Sequence, residues 1–137
     1  MKFGHATGTK QEKNGASAWY RQHEAANLAR IEAEDTARAL ATALAIQVGN
    51  AVAAMPEAAS RIAKAATLVQ AGQVWPLTNG NFLVASQSHD TVAHLVVRAW
   101  AWECDCRHMQ HRQSLCSHAI AAQITVRIGG AYKPCYN

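Results

Sequence analysis

The residues best suited to chemistry in this chain crowd into one short segment. Cys104-Asp-Cys106 is followed, nine residues later, by Cys116-Ser-His118, which together hold three of the four cysteines. Thiolate sulfur and imidazole nitrogen are the donors that a tetrahedral Zn2+ prefers, and three of one with one of the other complete its shell. Side chains separated by one residue point the same way along an extended chain, so the tight Cys104/Cys106 gap works at the end of a strand. The polar stretch Asp105 to Ser114 then spans the two halves and needs no core of its own. The alternative is a chance cluster of three buried cysteines and a surface histidine. The pattern favours one structural zinc ion held by Cys104, Cys106, Cys116 and His118.

Such a site needs elements that deliver each pair. Thr91 to Trp102 reads as a long strand, with Val92, His94, Val96, Arg98, Trp100 and Trp102 on one face. Ala93, Leu95, Val97 and Ala101 lie on the other, and apolar groups on both faces suggest a central, partly covered strand. Leu115 to Ile128 has helical spacing in Ile120, Ile124 and Ile128, with Gly129-Gly130 as its stop. Cys116 and His118 then fall at the helix opening, where the positive end of the dipole favours a thiolate. Upstream, Val74 to Leu77 and Phe82 to Ala85 flank Asn79-Gly80, a strong hairpin signal, and Ser86 to Asp90 make a second turn.

The N-terminal half is rich in alanine, glutamate, arginine and leucine, all good helix formers. Ser17 to Ala54 reads as one long helix or two closely joined ones, with Ser17 as N-cap and Gly49-Asn50 as its weakest point. Leu28, Ile31, Leu40, Leu44, Val48 and Val52 recur at helical spacing. A second helix starts at Pro56 and runs to Ala71, with Gly72 as its stop and Ile62, Ala65, Ala66 and Val69 as its stripe beside Leu68. The short Met55-Pro56 link predicts an antiparallel helical hairpin. The expected fold is therefore α+β: an N-terminal helical hairpin, then a small antiparallel β-sheet and a C-terminal helix around one structural zinc. Its divisions are a flexible tail at 1–15, an alanine-rich helical region at 16–72, and a zinc-binding domain at 73–137.

Cys-x-Cys, a short polar linker, then Cys-x-His opening an apolar helix resembles the SWIM-type zinc finger. The preceding hairpin and the Cys-Ser-His-Ala-Ile-Ala-Ala run at 116–122 are similar to that family too, over about Val74 to Ile128. The resemblance implies a small β-sheet followed by an α-helix, and binding to DNA or to protein. SWIM modules occur in chromatin ATPases, transposases, recombination accessory proteins and some ubiquitin ligases. One departure is Ser117, where family members usually carry a basic residue; a DNA contact at that spot is weakened.

Charge is mildly basic, at +4 with a pI of about 9.1, and three ionised thiols with one dication lower the net charge by one. That helps polyanion binding without demanding it. Arg98, Arg107, His108, His111, Arg112 and Arg127 are the candidate nucleic-acid contacts, with a solvated loop as the alternative for those at 107–112. Lys2, Lys10 and Lys13 in the tail are further phosphate contacts, or a solvated end. Trp75, Trp100 and Trp102 either stack on unpaired bases or, as packing favours, cover the core or the zinc. Trp19, Tyr20 and Arg21 anchor the long helix on the zinc domain or on another molecule. Cys135 replaces a zinc ligand only if the tail folds back; a terminal thiol is the more economical reading.

A closed four-ligand site leaves no position for an activated water, and neither a deaminase signature nor a phosphate-binding Gly-x-x-x-x-Gly-Lys loop occurs. No enzyme is expected, and no small-molecule substrate. No run of about 18 uninterrupted apolar residues exists, so no membrane span is expected. With no signal-peptide pattern at 1–15, a reducing cytoplasm is the expected location. The expected partners are DNA or other nucleic acid, with a protein partner or self-association through the helical half. The alternative is an adaptor or oligomerisation subunit with a purely structural zinc.

Overall fold

The computed structural model describes residues 10–89, 92–112 and 114–136. Residues 1–9 of the expected tail, with Lys2, lie outside these, as do Asp90 and Thr91 at the expected second turn and strand start. Contacts divide the chain into two compact units, Met1–Ala37 and Arg38–Asn137.

Helix α1 spans Lys10–Ala54, so Ser17 lies within it and does not cap it. It continues through Gly49-Asn50 and ends where Pro56 forces its predecessor out of helical geometry: Met55 has φ −136° and ψ 67°. In the first unit every side chain from Ser17 to Ala37 is exposed. Local contacts support it, including an Arg30–Glu34 ion pair at 3.1 Å and Trp19 stacked on His23. Leu28 and Ile31, expected on a buried stripe, are among these exposed residues.

The second unit has a real core. Leu44 and Ala51 of α1 are buried in it, with Leu40, Val48 and Val52 packed against it. A 3-10 turn at Pro56–Ala58 leads into helix α2 (Ala59–Gln70), which buries Ile62, Ala65, Leu68 and Val69. Strands β1 (Val74–Pro76), β2 (Phe82–Ala85), β3 (Ala93–Arg98) and β4 (Trp102–Cys104) form an antiparallel sheet in sequence order. Helix α3 covers Arg107–Arg112 and helix α4 Ser117–Ile128. Alanines at 119, 121 and 122 are fully buried, and their small side chains let α4 pack closely on α2, its main partner. Val74, Phe82, Val84 and Val96 form the inner face of the sheet. Full burial of each such side chain stabilises by about 1.5–3 kcal/mol.

The single strand expected over Thr91 to Trp102 is two strands. The chain reverses at Ala99–Ala101, with Arg98 opposite Trp102 and Val96 opposite Cys104. No Gly, Pro, Asn or Asp marks that turn, so local turn chemistry does not announce it. The reversal leaves Trp100 fully exposed at the hairpin tip, whereas Trp102 and Trp75 are half-buried. Packing therefore accounts for two of the three tryptophans and fails for Trp100. The linker 105–114 is likewise not all loop, because α3 forms within it.

By length and composition the 17–54 part of α1 is long and apolar enough to cross a membrane, one 18-residue window reaching a mean hydropathy of 1.2. Polar residues such as Arg38, Gln47 and Asn50 interrupt the stretch, so no uninterrupted apolar run marks it in the sequence. Alanine supplies much of the value, and Leu44 and Ala51 on that stretch are buried in the protein core.

The C-terminal segment folds back on the start of the sheet. The Tyr132 hydroxyl accepts from the Val74 N–H (2.9 Å) and donates to the Val74 carbonyl (2.6 Å). The Cys135 N–H donates to the Gly72 carbonyl at 2.8 Å, and the Trp75 indole N–H donates to the Cys135 carbonyl. Gly72 has φ +70°, and a Cβ there would stand 2.8 Å from the Cys135 backbone nitrogen. Gly72→Ala is expected to destabilise the protein by about 2 kcal/mol or more, combining left-handed strain with displacement of the tail. A urea titration giving an unchanged midpoint would contradict this.

Candidate metal centre

Each ligand is delivered by the end of a regular element. Cys104 closes β4 on the inner face, opposite Val96, and Cys106 follows one residue later, just before α3. Between them Asp105 is exposed and reaches the His94 Nδ1 at 2.9 Å. Cys116 is the N-cap of α4 in an extended conformation (φ −81°, ψ 169°), and its Sγ accepts from the Ala119 N–H at 3.3 Å. His118 lies in the first turn of that helix.

The donor atoms of Cys104, Cys106, Cys116 and His118 all lie within 4.8 Å of one another. Arms of about 2.3 Å to a tetrahedral zinc put sulfurs about 3.8 Å apart. The Cys104 Sγ to His118 Nδ1 distance is 3.8 Å, which identifies Nδ1 as the ring atom facing the site. All three cysteines are buried, at 9%, 6% and 2% exposure. Donor type, number and spacing thus fit one zinc ion, which supplies the positive charge that three clustered thiolates require.

The electrostatics of the sulfurs point the same way. Cys116 has its pKa pulled down, chiefly by its hydrogen bond with Cys104 and against the effect of burial; His118 and the Ala119 N–H assist. Cys104 is pushed up, by that same hydrogen bond to Cys116 and then by burial. Cys106 is raised mainly by burial. The fold alone favours one thiolate, at the helix N-cap. Ionising all three needs a dication, and binding it releases protons.

His94 stands behind this set. Its ring lies 4.3 Å from that of His118, centroid to centroid, while Asp105 holds its Nδ1. His94, Cys104 and Asp105 form a second close-set group that shares Cys104 with the first, so it belongs to the same centre. Buttressing of this kind fixes the orientation of a ligand ring. Cys135 is exposed and outside the cluster; the tail does fold back, but to Gly72.

The six candidate nucleic-acid contacts are distributed over β3, α3 and α4. Arg107 and His108 line a cleft of about 820 Å3 that also reaches Cys106, Cys116 and His118. His111 and Arg112 are exposed in the last turn of α3, and Arg127 is exposed in the last turn of α4. Arg98 ends β3 with its guanidinium 5.3 Å from the Trp102 ring. His108 is turned inward: its Nε2 accepts from Arg61 Nη1 at 2.9 Å and meets the Ser114 Oγ at 2.9 Å. Burial, then the Arg61 charge, lowers its pKa. His108 positions Arg61. Arg61 and Lys64 are the cleft residues that the sequence reading missed, because nothing local shows that α2 lies beside the zinc loop.

Cys116→Ala removes a ligand and a helix cap together, the cap being worth about 1 kcal/mol. Metal analysis is expected to show loss of stoichiometric zinc from this variant and full retention in Cys135→Ala. Equal zinc in both would remove Cys116 from the ligand set.

Residues 96–126 match the family model described as SWIM zinc finger. No curated protein and no solved structure matches the chain. The matched stretch begins at Val96, opposite Cys104, contains all four donors, and ends inside α4. This protein therefore carries a SWIM-type zinc finger, whose Cys104, Cys106, Cys116 and His118 form a centre for one zinc ion.

Proposed function

We propose that this protein is a non-catalytic accessory factor that uses its zinc finger to bind nucleic acid, DNA in the first instance, within a larger complex. The observation that carries the reading is helix α3. Its six residues leave Arg107, His111 and Arg112 exposed and include no acidic side chain, while Met109 packs against the core. Cations on a rigid, metal-tethered element suit contact with phosphates, which position a protein on nucleic acid without reading its sequence. Trp100, exposed at a hairpin tip that also carries Arg98, adds a surface on which an unpaired base stacks. Four protein donors around one zinc leave no coordination position for water, which supports a structural role.

A second reading has its own observation. Trp19, Tyr20, Leu28 and Ile31 are exposed on the first unit, a density of large apolar groups that fits contact with a protein partner or a second copy. Sedimentation at several concentrations favours this adaptor reading if molar mass rises while nucleic-acid affinity is absent.

Under the first reading, the zinc-loaded chain shifts single-stranded DNA, duplex DNA or RNA at submicromolar concentration in physiological salt. Affinity falls steeply as salt rises. Arg107→Glu with Arg112→Glu is expected to flatten log K against log salt by roughly 0.7–0.9 per lost phosphate contact. Absence of any complex below micromolar concentration would sink it.

A further inference from the structure

The cleft beside the metal centre has a chemistry of its own. Its volume, about 820 Å3, lies in the range of roughly 300–1,000 Å3 typical of ligand sites. Arg61 and Lys64 of α2 form one wall, Ser86 and Ser88 of the β2–β3 turn another, and Arg107 a third. No described carboxylate lines it, and no ion pair joins these cations to a described acidic residue.

Arg61 is the informative member. It is half-buried, and its Nη1 donates to His108 Nε2 (2.9 Å) and Ser114 Oγ (3.0 Å), both neutral acceptors. The guanidinium is thereby oriented but its charge is not balanced. Desolvating a cation without a counter-ion is unfavourable, so such a group is normally found with an anion. The turn that faces it is tied in place, because the Gln87 amide donates to the Lys64 carbonyl at 3.3 Å. A zinc centre with three thiolates carries one net negative charge and accounts for one of the three cations. The other two remain in surplus.

We propose that this cleft is a phosphate-binding site in which Arg61, Lys64 and Arg107 hold successive phosphate groups. Hydroxyls at Ser86 and Ser88 are further donors. Guanidinium groups present paired N–H donors to phosphate oxygens, and lysine adds a mobile point charge. The inference rests on the nucleic-acid reading for which molecule carries the phosphates; the site itself follows from the cleft.

The test uses the full-length zinc-loaded chain with two probes, inorganic tripolyphosphate and a single-stranded oligonucleotide, each measured by calorimetry. Lys64→Glu with Arg107→Glu alters two exposed residues, and Arg61→Lys keeps the charge but loses the paired donors. Arg30→Glu with Lys133→Glu is the charge-matched control, two exposed cations outside the cleft. Zinc content and circular dichroism verify that each variant is folded. Wild type is expected to bind both probes, the cleft double variant to weaken each by about tenfold or more, and the control by about twofold. Arg61→Lys is expected to fall between them. Equal losses in cleft and control variants, or no tripolyphosphate binding by wild type, would overturn the proposal. Tripolyphosphate binding lost in the cleft variant, with no oligonucleotide bound at all, supports the site and removes the nucleic-acid reading. Oligonucleotide binding undiminished in the cleft variant leaves that reading standing and removes the site.

Discussion

Three sulfurs and one imidazole nitrogen must meet at a point, and the arrangement of the second unit follows from that requirement. The donors come from the end of β4 and the start of α4, with a short polar segment between them. Bringing those ends together aligns α4 across the inner face of the sheet and against α2. Three buried thiols cannot all ionise beside one another without a cation. Their mutual hydrogen bonds drive Cys116 down and Cys104 up, which is the fold's partial answer where a single proton is shared. Zinc is the complete answer, because it offsets two of the three thiolate charges and cross-links the end of β4 to the start of α4.

The apolar core around this centre is modest. Several of its buried members are alanines, which remove little surface from water but allow helices to approach closely. Polar devices complete it. Tyr132 closes a pair of hydrogen bonds on the Val74 backbone, and Gly72 adopts a left-handed conformation that brings the C-terminal segment within reach. These contacts hold the β1 end of the sheet, while the metal holds β4. In the first unit the described helix draws on local propensity and on pairs such as Arg30–Glu34.

Electrostatics link the metal to the proposed role. Four protein donors match the tetrahedral shell of zinc, and a metal held by them fixes the backbone on either side of α3 and so the charges that α3 carries. His108, which by composition belongs with the phosphate-facing residues, turns inward and orients Arg61. Arg107 of the loop and the helix α2 cations Arg61 and Lys64 line one cleft, although Arg61 and Arg107 are far apart in the chain.

Much of this was legible in the residues. Ligand type and spacing gave the four donors; Asn79-Gly80, Gly72 and Gly129 marked turns and helix ends; and the Ile120/Ile124 period placed the apolar side of α4. The reversal at Ala99–Ala101 was not legible, because alanine and tryptophan carry no turn preference and only the pairing of Cys104 with Val96 demands it. The sheltering of His108, the exposure of Trp100 and the cleft shared by Arg61 and Arg107 were equally hidden. The sequence by itself determined which atoms can bind zinc and where α2, β1, β2 and α4 form, since both depend on residue type and local spacing. Only the tertiary structure decided which distant side chains face one another, because that depends on how α2 and α4 pack once the metal centre has joined β4 to α4.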